Sequence, residues 1–171
     1  MTTRAALPTP DEVWAVLHEV PDPEVPALSV VDLGIIRDVA IGDDAVTVSV
    51  TPTYSGCPAM RVIEQDIVAA LEGRGIPARV RTVFAPAWTS DWISAAGREK
   101  LRAYGIAPPG PAPDEDVLVP LLRRGAPEPA PRCPFCDSAS TEMRSAFGST
   151  ACKALAYCND CRQPFETFKA I

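Results

Sequence analysis

Six cysteines and one histidine are the residues of this 171-residue chain whose types and spacing could do chemistry. Four of the cysteines form two CxxC pairs with 21 residues between the pairs, namely Cys133, Cys136, Cys158 and Cys161. Each pair can place two thiolates on one turn, and two such turns facing each other make a closed tetrahedral four-sulfur site. Strand-like segments lie at 141–147, 153–157 and 165–169. The spacing therefore predicts a zinc ribbon over residues 132–171.

The identity of the metal in this ribbon stays open, because iron in a rubredoxin-like centre fits the same spacing, and disulfides are a further alternative. A closed four-sulfur site has no position for a substrate, so we expect a structural metal. About forty residues cannot build an adequate core, so the metal would supply much of the folding free energy. The net charge of +1 over 132–171 is a weak field for phosphates, so we expect the ribbon to dock protein rather than nucleic acid.

Cys57 lies in the segment TPTYSGCPAM, directly before a predicted helix whose first residue is Pro58. A thiol at a helix N-terminus is favoured as the thiolate by the partial positive charge there. Gly56 permits a close approach, and a loop between a strand and a helix is where sheet proteins place functional groups. A small, buried and inert cysteine fits the local chemistry equally well.

Two carboxylates, Asp22 and Glu24, lie on the proline-flanked loop PDPEVP, and Asp32 precedes the first predicted strand. These side chains could line the same end of the sheet as Cys57 and provide hard ligands or hydrogen-bond acceptors. Capping of turns is the alternative role for each of them.

The sixth cysteine, Cys152, lies in FGSTACKAL between the CxxC pairs, beside Lys153. It is too far along the chain to be a natural fifth ligand, and the surrounding Gly, Ser and Thr predict the turn at the ribbon tip. A turn residue and a functional thiol both remain open for Cys152.

The single histidine, His18, excludes several metalloenzyme classes. A Rieske cluster needs two His, and carboxylate-bridged di-iron helices need a pair of Glu-x-x-His motifs. The chain lacks GxGxxG and GxxxxGK, so nucleotide chemistry has no support.

The chain also shows no apolar stretch of about 20 residues and no secretory signal, so we expect a cytoplasmic location. In that compartment cysteines bind metal more often than they form disulfides. The net charge of −6 does not suit a nucleic-acid partner.

The periodicity of residues 1–105 predicts an α+β fold. A T-x-x-E capping box at Thr9 opens a helix that Pro21 ends. Alternating β-branched segments at 35–41 and 45–51 flank a Gly-Asp-Asp turn and predict a hairpin. A helix over 58–72, a strand over 78–84 and a helix over 94–104 follow. The order α-β-β-α-β-α predicts one sheet with helices packed on it.

Proline marks the boundary between the two modules, because nine of the 19 prolines fall within residues 108–134. That density favours extended polyproline conformation. We predict a Pro-rich linker over 106–131, with 117–122 as a short strand or docking segment inside it. The domains would then be 1–105 and 132–171.

The motifs DPEVP, VVDLGIIRDV and TPTYSGCPAM resemble the small cytosolic iron–sulfur assembly domain typified by SufT. Two further motifs, FGSTACKAL between the CxxC pairs and PAWTSDWISAAGREKLRAYG, narrow the resemblance to one family that carries such a domain. On these motifs the chain is similar to the PaaD (PaaJ) family of accessory subunits encoded with bacterial phenylacetyl-CoA 1,2-epoxidase. The resemblance covers about residues 10–105 and 132–171, and it implies a SufT-like metal–sulfur cluster assembly domain joined to the zinc ribbon.

The resemblance implies a role in aerobic phenylacetate catabolism, where a di-iron epoxygenase works with an iron–sulfur flavin reductase. A subunit of this family would assist assembly of their iron or iron–sulfur centres and would carry no catalytic set of its own. The family's reactive thiol falls on Cys57, its acidic loop falls on Asp22 and Glu24, and its motif contains Cys152. The ribbon ligands fall on Cys133, Cys136, Cys158 and Cys161.

The expected partners are the epoxidase di-iron and reductase subunits, with no nucleic acid and no membrane. A single thiol cannot hold a [2Fe–2S] cluster, which needs four ligands. Transient binding at Cys57 therefore predicts a homodimer, a ligand supplied by the client, or recruitment of Cys152. A non-catalytic structural subunit of the epoxidase complex is the alternative function.

Overall fold

The computed structural model describes residues 7–54, 56–112 and 130–171. The chain divides into two compact units, the first comprising Met1–Trp88 and Trp92–Gly97 and the second Thr89–Asp91 and Arg98–Ile171. Each unit has its own β-sheet, so the predicted α+β class is confirmed.

The first unit opens with helix α1, Pro10–Glu19. Thr9 and Glu12 form the predicted capping box: the Thr9 hydroxyl accepts from the Glu12 N–H at 3.3 Å, and the Glu12 carboxylate accepts from the Thr9 N–H at 2.8 Å. This reciprocal pair satisfies two backbone donors that have no partner within the helix. The buried face of α1 consists of Val13, Val16 and Leu17.

The sheet of the first unit has the order β1-β2-β3. Strands β1, Ile36–Ile41, and β2, Val46–Val50, form the predicted antiparallel hairpin. Strand β3, Ala78–Thr82, pairs with β2 in parallel. Because parallel neighbours need a crossover, helix α2, Met60–Glu72, connects them and buries one apolar face on the sheet.

A turn before β1 is closed by aromatic side chains from a later part of the chain. The Trp88 indole N–H donates to the Leu33 carbonyl at 3.0 Å, and the Arg37 guanidinium lies 3.6 Å from the centroid of the Trp92 ring. Gly34 has a φ of +74°, and a Cβ there would collide with the Trp92 carbonyl. The turn therefore requires glycine at this position.

The second unit contains a four-stranded sheet in the order β4-β7-β6-β5. Strand β4 is Ile106–Ala107 and pairs in parallel with β7, Pro164–Phe168. Strands β5, Thr141–Ser145, and β6, Lys153–Cys158, form an antiparallel hairpin, and β6 also pairs with β7. Helix α3 is Ala95–Ala103.

The predicted element order agrees with the structure, and the bounds differ by one or two residues at most element ends. Helix α2 begins at Met60 rather than at residue 58, because Pro58 and Ala59 form a turn. The first two residues of the predicted linker 106–131 form β4. The predicted segment 117–122 lies outside the described residues, and the three-part domain division stays a prediction.

Across the described ranges, no helix is both long enough and apolar enough to cross a membrane.

We expect Gly34→Ala to destabilise the first unit far more than Gly75→Ala. Both glycines have a φ of +74°, but a Cβ at Gly75 has no atom within 4 Å. Gly75→Ala should therefore cost only backbone strain, about 1 kcal/mol. Gly34→Ala adds a collision with backbone, worth about 2 kcal/mol or more. Urea unfolding of both variants measures the difference, and equal losses would contradict this packing.

Candidate metal and thiol sites

The two CxxC turns of the second unit bring four sulfur atoms together. Cys133 and Cys136 precede β5, Cys158 ends β6, and Cys161 lies in the turn before β7. All four Sγ atoms lie within 4.8 Å of one another. The Sγ atoms of Cys133 and Cys161 are 3.6 Å apart, as are those of Cys136 and Cys158.

These distances fit a tetrahedral metal. Four sulfurs at the Zn–S distance of about 2.3 Å stand about 3.8 Å apart in a regular tetrahedron. The donor set of four thiols also suits zinc, and iron accepts the same set. Cys133, Cys136, Cys158 and Cys161 would hold the ion, and its contribution there is to the stability of the fold. The four cysteines alone would complete the coordination of the ion, so no position would remain for a substrate.

The core around this cluster is small, and cysteines form much of it. Its buried members are Ala107, Cys133, Ala156, Cys158 and Phe165, with Cys161 packed against them. So little apolar area cannot offset the entropy of ordering the ribbon. A bound metal would therefore supply folding free energy that the side chains lack.

The four thiols bind protons unequally. A hydrogen bond from the Cys161 backbone N–H is the main cause that lowers the pKa of Cys158 to about 7. Burial is the main cause that raises the pKa of Cys161 to about 12. Metal binding at neutral pH must therefore release protons, and the apparent affinity falls as the pH falls.

Cys152 lies apart from this cluster. It immediately precedes β6, while Cys158 ends that strand, so an extended chain of six residues separates them by about 20 Å. Its side chain is buried, and its Sγ lies 3.1 Å from the Thr150 hydroxyl. The structure therefore places Cys152 in the hairpin turn, as the turn chemistry predicts, and outside the group of four.

The FGSTACK segment is organised by a buried ion pair. The Lys153 ammonium, 4% exposed as a side chain, lies 3.1 Å from the Glu166 carboxylate. Glu166 also accepts from the Ser149 N–H at 2.6 Å. A Cβ at Gly148 would approach that carboxylate to 2.8 Å and the Lys153 backbone carbon to 3.1 Å, so a larger residue would have to displace the Glu166 side chain. Burial acts to raise the pKa of Glu166, but the bonds from Ser149 and Lys153 outweigh it and hold the pKa below its usual value.

Cys57 lies in the connection between β2 and α2, three residues before the helix. Its N–H donates to the Tyr54 carbonyl at 3.2 Å, which closes a turn and leaves the side chain half-buried. Burial raises the pKa of the thiol, against hydrogen bonds from the Ala59 and Met60 N–H groups that lower it. The sequence argument expected a lowered pKa for this thiol, and that direction is wrong. Burial, together with the charges of Glu24 and Asp22, outweighs the backbone hydrogen bonds at the start of the helix.

The acidic loop lies close to this thiol. The carboxylates of Glu24 and Asp22 both act on Cys57 and raise its pKa, Glu24 more strongly. Asp22 is buried, and its Oδ1 accepts from the N–H groups of Glu24 at 3.0 Å and Val25 at 2.7 Å. These bonds are the turn capping that was the alternative role for Asp22, and they fix the loop that carries Glu24. The structure thus places Asp22 and Glu24 within electrostatic reach of Cys57 in the first unit.

Asp32 does not contribute a free ligand to this site. Its carboxylate accepts from the Ser29 hydroxyl at 2.8 Å and from the Ser94 hydroxyl at 3.1 Å. It therefore stabilises turns, which was the alternative role for it. His18 is exposed in the last turn of α1.

Thr51 is a residue of this region that the sequence argument missed. It follows β2 and begins the same connection that carries Cys57, and it is 1% exposed. Among the described residues its hydroxyl has no hydrogen-bond partner, which is costly for a buried polar atom. The only sequence signal is its place in the TPTYSGCPAM segment. Burial without a partner makes it a candidate contact for a bound group.

In a comparison with known proteins, two family models match two different parts of the chain. Residues 10–83 match the family model "Iron-sulfur cluster assembly protein", and residues 120–169 match "PaaD zinc beta ribbon domain". The chain is 43% identical over 167 residues to a putative 1,2-phenylacetyl-CoA epoxidase subunit of Escherichia coli, covering 97% of this chain and 96% of that protein. The chain belongs to the PaaD family. The family assigned from its motifs is thereby confirmed.

Other relatives of this PaaD-family chain match its first part. It is 36% identical over 91 residues to the "Fe-S protein maturation auxiliary factor" of Porphyromonas gingivalis, covering 52% of this chain and 86% of that protein. A solved DUF59 domain from Bacillus anthracis is 27% identical with a TM-score of 0.49, covering 53% of this chain and 89% of that one.

We expect Cys158→Ser to abolish metal binding by the ribbon while Cys152→Ser leaves it intact. Cys158 belongs to the group of four sulfurs and Cys152 does not. Elemental analysis should show a fall from about one metal ion per chain to below about a tenth in Cys158→Ser, with loss of near-ultraviolet circular dichroism. Equal metal content in the two variants would contradict the assignment.

Glu24→Gln is expected to speed alkylation of Cys57 at neutral pH. Removing the negative charge lowers the thiol pKa toward the pH of the assay, so the thiolate fraction rises. Peptide mass spectrometry after timed iodoacetamide treatment measures the rate at this one cysteine. Glu72→Gln is the matched control, because Glu72 is not among the carboxylates that act on Cys57. An unchanged rate in Glu24→Gln would show that the two side chains do not interact.

Proposed function

We propose that this chain is an accessory factor that assists assembly of iron or iron–sulfur centres in the phenylacetyl-CoA 1,2-epoxidase system of aerobic phenylacetate catabolism. The observation that carries the proposal is a half-buried thiol within electrostatic reach of two carboxylates, on a domain that matches an iron–sulfur cluster assembly family. The chain matches a protein named as an epoxidase subunit over nearly its full length, and this match supports the epoxidase system as the client. The proposal includes no catalytic set on this chain.

Iron or a cluster would be cargo at Cys57 rather than a resident cofactor. One thiol with the oxygen donors of Asp22 and Glu24 can hold iron, but it cannot complete the four thiolate ligands of a [2Fe–2S] cluster. An incomplete ligand set suits a factor that must release what it binds. The missing ligands would come from the client, from a second copy of this chain, or from Cys152.

The ribbon would dock the client subunits. Its metal site is closed, so it offers a folded surface rather than a reactive position. Phe135 and Phe147 are 57% and 73% exposed, and aromatic side chains of this kind are common anchors of protein interfaces. The proposed partners are the di-iron and reductase subunits of the epoxidase. The proposed location is the cytoplasm, where reducing conditions keep CxxC thiols free for metal.

The decisive experiment separates maturation from scaffolding. Epoxidase and reductase subunits are produced without this chain, and their iron and labile sulfide are measured before and after it is added with ferrous iron and sulfide. A maturation factor should restore both when added at about one tenth of the client concentration, because it is released after each transfer. A structural subunit would restore activity only at equal concentration and would leave the iron content unchanged.

Cys57→Ser is expected to lower the iron bound after anaerobic reconstitution by about tenfold or more, because the hydroxyl is a poor replacement for a thiolate ligand. Metal in the ribbon is the internal control and should be unchanged, since its four ligands lie elsewhere in the chain. Equal bound iron in the wild type and the variant would overturn the role of Cys57.

A further inference from the structure

Strand β3 is an edge of the sheet in the first unit. It pairs with β2 on one side, and no strand of the described residues lies on its other side. Such an edge presents backbone donors and acceptors that another chain can use.

The hydrogen bonds at the ends of β3 show which of its amides face outward. The Pro77 carbonyl accepts from the Val46 N–H, and the Val83 N–H donates to the Val50 carbonyl, both at 2.8 Å. In a strand the N–H and C=O of one residue point to the same side, and the side alternates along the chain. The amide groups of Ala78, Val80 and Thr82 therefore face the open edge.

A groove of about 480 Å³ runs between this edge and helix α2. Its apolar lining consists of Val68 and Ala69 from the helix and Ala78 and Val80 from the strand. A strand added to β3 would place every second side chain into this groove, as sheet geometry requires. The geometry is that of strand addition beside a helix, where backbone bonds give affinity and the groove selects side chains.

The charges on the two faces of β3 differ. By strand alternation the side chains of Arg79 and Arg81 project from the face opposite Ala78 and Val80, although Arg79 also borders the groove. Both arginines are exposed and form no ion pair among the described side chains, and the Arg81 guanidinium donates to the Ser49 hydroxyl at 3.1 Å. On the groove side the rim is acidic, with Glu72 and with Glu64, which accepts from the Thr82 hydroxyl at 2.5 Å. Acidic side chains of an added strand would thus be attracted on the arginine face and repelled on the groove face.

We propose that the β3 edge and the adjoining face of α2 bind an extended segment of a partner polypeptide in which acidic side chains alternate with apolar ones. The backbone of the segment pairs with Ala78, Val80 and Thr82. Its acidic side chains lie opposite Arg79 and Arg81, and its apolar side chains enter the groove. This site is separate from Cys57 and does not depend on the function proposed above.

A second copy of this chain is a poor occupant of the same edge. Antiparallel pairing of β3 with itself about Val80 places Arg79 of each copy opposite Arg81 of the other. Like charges directly opposite across a strand pair are destabilising. Charge therefore favours an acidic partner segment over self-association.

The test uses the full chain with its ribbon metal and an acetylated, amidated hexapeptide of sequence Ser-Glu-Val-Glu-Val-Ser. A matched peptide carries Lys in place of both Glu. Titration followed by amide chemical shifts should move the resonances of Ala78, Val80 and Thr82. We expect the lysine peptide to bind about tenfold more weakly or worse, because it meets the arginines with like charge.

Two variants address the backbone and the charges separately. Val80→Pro removes an outward N–H that β2 does not use, a position where edge strands tolerate proline, and should abolish binding. The double variant Arg79→Glu with Arg81→Glu leaves the backbone intact and should invert the preference, so that the lysine peptide binds more tightly. Cys57→Ser is the matched control and should bind like the wild type.

Several outcomes would overturn the proposal. One is equal affinity for the two peptides, and another is binding that neither variant changes. A third is a wild-type dimer that Val80→Pro converts to a monomer, because that result would assign the edge to a second copy of the chain. Binding that appears only after residues 113–129 are replaced by a Gly-Ser linker would assign the groove to that segment of the chain itself. Weak iron binding with normal peptide binding would count only against the role of Cys57.

Discussion

The parallel pairing of β2 with β3 is the constraint from which the first unit follows. Parallel neighbours cannot be joined by a tight turn, so the chain must leave the sheet and cross it before β3 can form. Helix α2 makes that crossing and covers one face of the sheet. The connection entering α2 carries Thr51 and Cys57, and β3, which follows the helix, is an edge strand among the described residues. Both surfaces that we interpret functionally are therefore products of one topological requirement.

The second unit depends on a different force. Among the described residues, two of the five buried side chains in the cluster around its CxxC turns are cysteines, and Cys161 packs against them. Coordination can concentrate in one ion the stabilisation that a larger domain spreads over many contacts. This explains how a short ribbon can hold an ordered surface without a core of ordinary size. Four thiols in one closed group would then serve the structure of the ribbon, whereas the chemical role that we propose falls on Cys57 in the first unit.

Much of this architecture could be predicted from local patterns. The capping box at Thr9, the alternation on either side of Gly42 and the CxxC spacing each describe contacts between residues near in sequence, and the structure shows the expected elements. What could not be predicted depends on distant partners. The pKa of Cys57 reflects burial and carboxylates more than thirty residues away, so the helix-end argument gave the wrong sign. The Lys153–Glu166 pair, and the Thr51 hydroxyl that has no partner among the described residues, likewise require knowledge of three-dimensional neighbours.

Strand β6 is held at its two ends by unlike chemistry. Cys158 ties one end to the sulfur cluster, and Lys153 ties the other to Glu166 on β7. Chelation would remove only the first tie, whereas acid strong enough to protonate Glu166, below its lowered pKa, would remove the second as well. The ribbon can therefore lose order from either end of the same hairpin. Loss of metal alone would leave the Lys153–Glu166 ion pair in place.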